Sequence, residues 1–272
     1  MTRLVGFAAV VASMGATFVA PASAQTMGSP RLAAVQVALR AKHLYAGTVD
    51  GLPGPQTTTA LHRSGLALDA LAGPDLGSRP LGPGAVGGDV SQLQFLLAWH
   101  GFPNSTIDGG FGAHVEAALI RFQRWAGLPT VGVVGPATVA ALQAPVPTCP
   151  IPLAWPLHAS ISSPFGPRGA MFHPGLDLAA GPGTPVHAAA IGRVVFAGPT
   201  TGGYGNLVIV QHAHGVTTMY GHLSRILAEP GELVTVGSLL GLVGATGEAT
   251  GPHLHFEFRV RDAAVDPLPA LR

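Results

Sequence analysis

Hydrophobic positions along this chain follow two different periods. Between residues 89 and 143 they recur every three to four residues. Val90, Leu93 and Leu97 form one stripe and Val115, Ala118, Leu119 and Phe122 another, the pattern of amphipathic helices. Beyond residue 157 short apolar runs alternate with glycine turns, and no helical period is sustained. Strands are expected over Val186 to Phe196, Leu207 to His212, Val216 to Tyr220, Leu233 to Val236, Leu239 to Val243 and His253 to Val260. Ala213-His214-Gly215 is expected to join two of them as a hairpin.

The helical part is duplicated. Val35-Gln36, Leu39, Asp50-Gly51, Gly54 and Ala60-Leu61 reappear as Leu93-Gln94, Leu97, Asp108-Gly109, Gly112 and Ala118-Leu119 at a spacing of 58, and Gly65-Leu66 and Gly73-Pro74 reappear at 62 as Gly127-Leu128 and Gly135-Pro136. Each copy reads helix, Asp-Gly turn, helix, glycine turn, short helix. The expected organisation is a first copy at 25–82, a second at 89–143, a proline-rich linker at 144–156 and a β domain at 157–272. Asp50 and Asp108 are read as turn formers rather than calcium ligands. Trp99 and Trp125 suit either a core or a sugar-stacking surface.

Composition changes this picture little. The chain has 272 residues, 10% of them charged, with a net charge of +1, 38 glycines and 25 prolines. This favours turns and short strands, and there is no basic run to suggest nucleic acid as a partner. Arg3, the apolar stretch from Leu4 to Ala20 and Ala22-Ser23-Ala24 read as an export signal over 1–24, with Gln25 as the new N-terminus. No stable membrane insertion is expected after its removal. Cys149 is the sole cysteine, so no intramolecular disulfide can form.

Eight of the 12 histidines fall in the β domain. On a strand from His253 to Val260, Leu254, Phe256, Phe258 and Val260 face inward, while His253, His255, Glu257 and Arg259 share the opposite face. His173-Pro174-Gly175-Leu176-Asp177 lies upstream. Pro174 and Gly175 argue against a helix there, so a turn must fold His173 back beside Asp177. His173, Asp177 and one histidine of the later pair make a His-Asp-His set, which suits zinc with a fourth position left for water. Such an ion would polarise a scissile carbonyl and activate water near neutral pH. The unligated member of His253 and His255, together with His222, are candidate bases. The spacing does not say which of His253 and His255 holds the metal. H-E-x-x-H is absent. Glu257 shares the ligand face and could orient an imidazole, but a solvent ion pair with Arg259 is the preferred reading. Tyr204 could line the groove, with a turn aromatic preferred, and Arg168 is read as a substrate contact or a salt bridge.

Two resemblances follow from these residues. Leu93-Gln94, Asp108-Gly109-Gly110-Phe111-Gly112, Phe122-Gln123, Gly127-Leu128 and Gly135-Pro136-Ala137-Thr138 resemble the three-helix peptidoglycan-binding domain; the first copy lacks the Phe-Gln pair. Phe165-Gly166-Pro167-Arg168, His173-Pro174-Gly175-Leu176-Asp177, Tyr220-Gly221-His222-Leu223-Ser224 and Thr250-Gly251-Pro252-His253-Leu254-His255-Phe256 resemble the lysostaphin/LytM-type zinc endopeptidases over roughly residues 160 to 268. The fold implied is two small all-α three-helix peptidoglycan-binding repeats followed by an all-β peptidase domain of the duplicated hybrid motif. The resemblance implies His173, Asp177 and His255 as zinc ligands and His222 and His253 as catalytic histidines. It also implies a secreted enzyme of the cell wall or periplasm that cuts peptide bonds of peptidoglycan. The tyrosine found before the first histidine ligand in the glycyl-glycine-cleaving branch is missing between Phe165 and His173, which favours other cross-links. The competing expectation is a wall-binding protein, or an activator of another hydrolase, without catalysis. A lipoyl-like carrier is a third, disfavoured because Lys42 is the only lysine.

Overall fold

The computed structural model describes residues 25–272; the expected export signal at 1–24 lies outside the described residues. Helices come first: α1 (Pro30–Ala41), α2 (Pro55–Ser64), α3 (Leu68–Ala72), α4 (Gly88–Trp99), α5 (Ala113–Trp125) and α6 (Pro136–Leu142). Ser29 caps α1 by accepting from the Leu32 amide, and Pro30 follows in the first turn, where a missing N–H costs nothing. The Asp-Gly turns are locked from the helices. Gln36 accepts from the Gly51 amide and donates to Asp50, both at 2.8 Å. Gln94 accepts from the Gly109 amide at 2.8 Å and donates to Asp108 at 2.9 Å. Asp50 and Asp108 each accept the backbone amide two residues on, as turn formers do.

Leu93, Leu97, Val115, Leu119 and Phe122 form a core of the second copy, and Val35, Leu39 and Ala60 a smaller one in the first. Part of the remaining apolar surface is covered by the β domain. Ala33, Val37, Phe95, Trp99 and Ile107 join the principal core of the β domain. Trp99 is therefore a core residue, 4% exposed. The Trp125 indole donates to the Val260 carbonyl at 3.3 Å.

The β domain contains β1 (Ser160–Ser163), β2 (Gly166–Arg168), β3 (Met171–His173), β4 (Leu176–Ala179), β5 (Pro185–His187), β6 (Gly192–Pro199), β7 (Asn206–Gln211), β8 (Val216–Gly221), β9 (Leu223–Ile226), β10 (Leu233–Val234), β11 (Leu239–Val243), β12 (His253–Val260) and β13 (Ala263–Val265). The main sheet runs β1-β4-β12-β8-β7-β6-β10, with β13 paired to β12; β5-β11-β9 form a second sheet and β2-β3 a hairpin. β7 and β8 are joined through Ala213-His214-Gly215. The stretch expected as one strand from Val186 to Phe196 divides between two sheets. Its middle, Ala188-Ala189-Ala190, is buried, and the Ala189 amide donates to the Tyr220 hydroxyl at 2.9 Å. Alternation of side chains carries no sign of such a change of sheet. The strand expected to reach Val236 ends at Val234, because Thr235 turns back onto Ser238.

β12 lies between β4 and β8, which pair both of its edges. Its polar face is closed separately, where Tyr204 reaches over to Glu257. Leu254, Phe256 and Phe258 are fully buried, and so is Glu257.

Candidate metal centre

Three strands deliver the histidine-rich cluster. His173 ends β3, Asp177 lies in β4, and His255 stands directly opposite Asp177 in the β4–β12 register. The connecting Pro174-Gly175 turn passes under β12; a Cβ on Gly175 would lie 2.5 Å from the Phe256 carbonyl oxygen, so no side chain fits there. With the turn in place, His173 Nε2 stands 3.0 Å from Asp177 Oδ1, His255 Nδ1 stands 2.9 Å from the same oxygen, and the two ring nitrogens are 3.1 Å apart. All three residues are buried.

His222 follows β8 in a left-handed conformation (φ 62°). Its backbone amide donates to the Tyr204 carbonyl at 2.8 Å, which helps hold this unfavourable geometry. Its ring lies 4.7 Å from that of His253 and 5.7 Å from that of His255, between centroids. His253 Nε2 is 3.6 Å from Asp177 Oδ1. All five residues singled out in the sequence thus converge, with His173, Asp177 and His255 in mutual contact and His222 and His253 beside them.

Each imidazole has one nitrogen committed elsewhere. Nδ1 of His173 donates to the Pro164 carbonyl at 2.9 Å, Nδ1 of His222 to Thr246 at 2.8 Å and Nδ1 of His253 to Gly251 at 2.8 Å. His255 instead donates from Nε2 to Glu257 at 2.9 Å. The opposite nitrogens therefore carry their lone pairs toward the cluster. Two lone pairs and a carboxylate oxygen facing one another at about 3 Å repel unless a cation lies among them. Without a metal, a proton serves. Burial pushes the His255 imidazole down, but its hydrogen bonds to Asp177 and Glu257 outweigh this and raise it to about 9. Burial also pushes Asp177 up, yet bonds from His173 and His255 hold it far below the usual carboxylate range. Tetrahedral zinc ligands at about 2.0–2.2 Å from the ion stand roughly 3.3 Å from one another. The donor set and its spacing fit zinc.

The Glu257–Arg259 ion pair is present but buried rather than in solvent, Glu257 also bonds His255, and Tyr204 is more than a turn aromatic. The Glu257 carboxylate is fully buried and accepts from His255, from the Tyr204 hydroxyl at 2.6 Å and from Arg259 Nε at 2.7 Å. Burial pushes this carboxyl up, but Arg259 and His255 overcome it and hold it at about 2. The signal lay in the alternation: Glu257 and Arg259 share the face of His255. What it could not tell is that this face is covered. The Pro164, Thr246 and Gly251 carbonyls that fix the tautomers have no sequence signal, being backbone. Arg168 donates to Asp177 Oδ2 at 3.3 Å and is half exposed. His212 lies elsewhere in a buried chain, bonded to the Ile191 carbonyl at 2.7 Å and to Thr218 at 2.8 Å.

Comparison with known proteins finds two family matches. Residues 171–267 match peptidase family M23. Residues 86–142 match the family described as "Putative peptidoglycan binding domain". The DD-carboxypeptidase/endopeptidase Mpg of Neisseria meningitidis is 46% identical over 118 residues, which is 41% of this chain and 27% of that protein. The chain thus spans about a quarter of the length of that curated relative. Among solved structures, a zinc containing peptidase from Vibrio cholerae is 36% identical, with a TM-score of 0.39 over 42% of this chain and 38% of that one. The catalytic domain of lysostaphin from Staphylococcus simulans is 33% identical, with a TM-score of 0.38 over 41% of this chain and 90% of that one. The chain therefore carries a peptidase family M23 domain behind a segment of the peptidoglycan-binding family.

Proposed function

We propose that this chain is a secreted, zinc-dependent endopeptidase that hydrolyses peptide bonds in the stem peptides or cross-links of peptidoglycan, in the cell wall or periplasm. One observation carries the reading: His173 Nε2, Asp177 Oδ1 and His255 Nδ1 converge with lone pairs inward, which are the atoms that would hold the ion. Zinc there would supply a Lewis acid for the scissile carbonyl and lower the pKa of water to about 7.

The protein's own groups supply the rest. Nε2 of His222 is free to take a proton from the attacking water, because Nδ1 is tied to Thr246. Burial, reinforced by the neighbouring imidazoles, pushes the His222 pKa down and keeps the ring neutral at pH 7, with Nε2 open to a proton. His253 presents Nε2 beside the His222 ring; its lone pair can orient water, and only once protonated would it donate to the developing oxyanion. Arg168 neutralises the outer oxygen of Asp177, leaving the inner one for the ion. The helical segment supports peptidoglycan as the partner through its family membership.

Metal analysis of the purified full chain, paired with mass spectrometry of digested muropeptides, tests the proposal. Zinc at one equivalent and cleavage that vanishes on chelation and returns on reloading are expected. Cleavage by a metal-free preparation would refute the mechanism. Wall binding by zinc-loaded protein without cleavage would favour a non-enzymatic wall-binding or activator role.

A further inference from the structure

The helices are built into the metal centre rather than tethered to it. Trp99, the last residue of α4, packs edge-on against Phe172, with centroids 5.4 Å apart, and against Phe165 at 6.4 Å; the two phenylalanines are 5.1 Å from each other. These phenylalanines bracket the hydrogen bond that orients His173. Phe165 follows Pro164, whose carbonyl accepts from His173 Nδ1, and Phe172 immediately precedes His173. A side chain from the helical segment therefore packs beside both partners of that bond.

The tip of the β2–β3 hairpin is gripped as well. The Val49 amide donates to the Gly169 carbonyl and the Ile107 amide to the adjacent Ala170 carbonyl, each at 2.7 Å. Val49 and Ile107 are 58 residues apart, the repeat spacing. Each stands just before its Asp-Gly turn, which Gln36 or Gln94 locks. The duplicated motif is thus used twice, on neighbouring peptide groups of one hairpin.

A third tie is written into the sequence. The Ala264 amide of β13 donates to the Gly101 carbonyl at 3.1 Å, and a Cβ on Gly101 would lie 2.3 Å from the Ala264 oxygen. The equivalent position of the first copy is His43. Both adopt a left-handed conformation, φ 57° for His43 and 89° for Gly101. A side chain is tolerated where nothing passes, and glycine stands where β13 does.

We infer that Trp99, Val49 and Ile107 are positioning residues for His173: through the β2–β3 hairpin the helical segment holds this ligand in register with Asp177 and His255. Metal affinity is then a property of the whole chain, not of the β domain alone. A freely tethered wall anchor needs none of these contacts. The inference rests on the zinc reading above, and its test separates the two.

In the full chain, Trp99→Ala, Trp99→Phe and Gly101→Ala are compared with wild type by zinc competition against a chromophoric chelator, and by hydrogen exchange of the metal-free protein. Trp99→Ala and Gly101→Ala should each weaken zinc binding about tenfold, the scale of loss when a group supporting a ligand is removed. Exchange should accelerate over residues 164–173 while β7 and β8 keep their protection. Trp99→Phe, which retains an aromatic ring, should restore most of both. Unchanged hairpin exchange, or unchanged affinity despite a loosened hairpin, overturns the inference. So does acceleration spread evenly over the sheet, which marks a role in global stability only. A wild-type chain that takes up no zinc instead overturns the metal reading, and the wild-type arm reveals that by itself.

Discussion

Glu257→Gln is the most informative single substitution at this site. The side chain keeps its volume, so packing around a fully buried position is conserved. What changes is the count of acceptors. The carboxylate receives three donors: His255 Nε2 and the Tyr204 hydroxyl on Oε1, and Arg259 Nε on Oε2. An amide has one oxygen and one NH2, so at least one donor must meet another. If the oxygen stays on His255, Arg259 Nε loses its acceptor, and the guanidinium keeps only Asp262 and the Tyr204 hydroxyl. If the amide flips, its NH2 faces His255 Nε2 and forces the proton onto Nδ1, the atom that faces the ion. A buried charge-assisted hydrogen bond contributes about 1.5–3 kcal/mol, and breaking a buried pair costs about 3–5 kcal/mol. A stability loss of about 3 kcal/mol is expected from denaturant titration of the metal-free chain. Zinc affinity should fall about 10- to 100-fold in chelator competition, because the ligand's orientation and basicity both suffer. Tyr204→Phe removes one donor but leaves the charge and the His255 bond, and should cost much less affinity. A Glu257→Gln protein that loses stability yet binds zinc as wild type does would refute the argument; Glu257 would then serve only to neutralise Arg259.

Three further outcomes follow from the same geometry. His173→Ala and Asp177→Ala should each abolish zinc retention and muropeptide cleavage, seen by metal analysis and mass spectrometry of digests. His222→Ala should keep zinc at one equivalent and lower kcat by about 10²–10⁴-fold, the usual yield of a general base; loss of the metal instead would place His222 among the ligands. Zinc uptake should tighten as pH rises. The metal-free His255 imidazole is raised to about 9, so below that pH the ion must displace one proton. Apparent affinity should increase about tenfold per pH unit from pH 7 to 9 and then level off, measured by competition at fixed chelator chemistry. A flat profile over that range would exclude His255 as the protonated ligand.

Much of this was legible in the residues. The helical period and the 58-residue repeat announced a duplicated helical segment, and alternation placed His253, His255, Glu257 and Arg259 on one face of a strand. The Pro174-Gly175 turn was legible because proline and glycine rule out the helix that the spacing of His173 and Asp177 would otherwise suit. Burial of the polar face was not legible. Whether Glu257 meets water or Tyr204 depends on a loop 53 residues away in sequence closing over β12. The split of Val186 to Phe196 between two sheets was hidden for the same kind of reason: side-chain alternation is blind to which neighbour a strand takes. Trp99 illustrates a third limit. Its spacing from Phe95 marks an apolar helix face, but only the fold says that this face meets Phe165 and Phe172.

The donor set has a chemical consequence beyond zinc. Two imidazole nitrogens and a carboxylate oxygen, oriented by carbonyl and carboxylate acceptors and holding one displaceable proton, form a chelate for any borderline divalent ion. Such ligands bind copper(II) more tightly than zinc in the general order of affinities. Among the described residues the cluster is His173, Asp177 and His255, without the cage of hard oxygens that would disfavour copper. The ion recovered with this chain will report the trace-metal supply where it folded as much as the preference of its pocket.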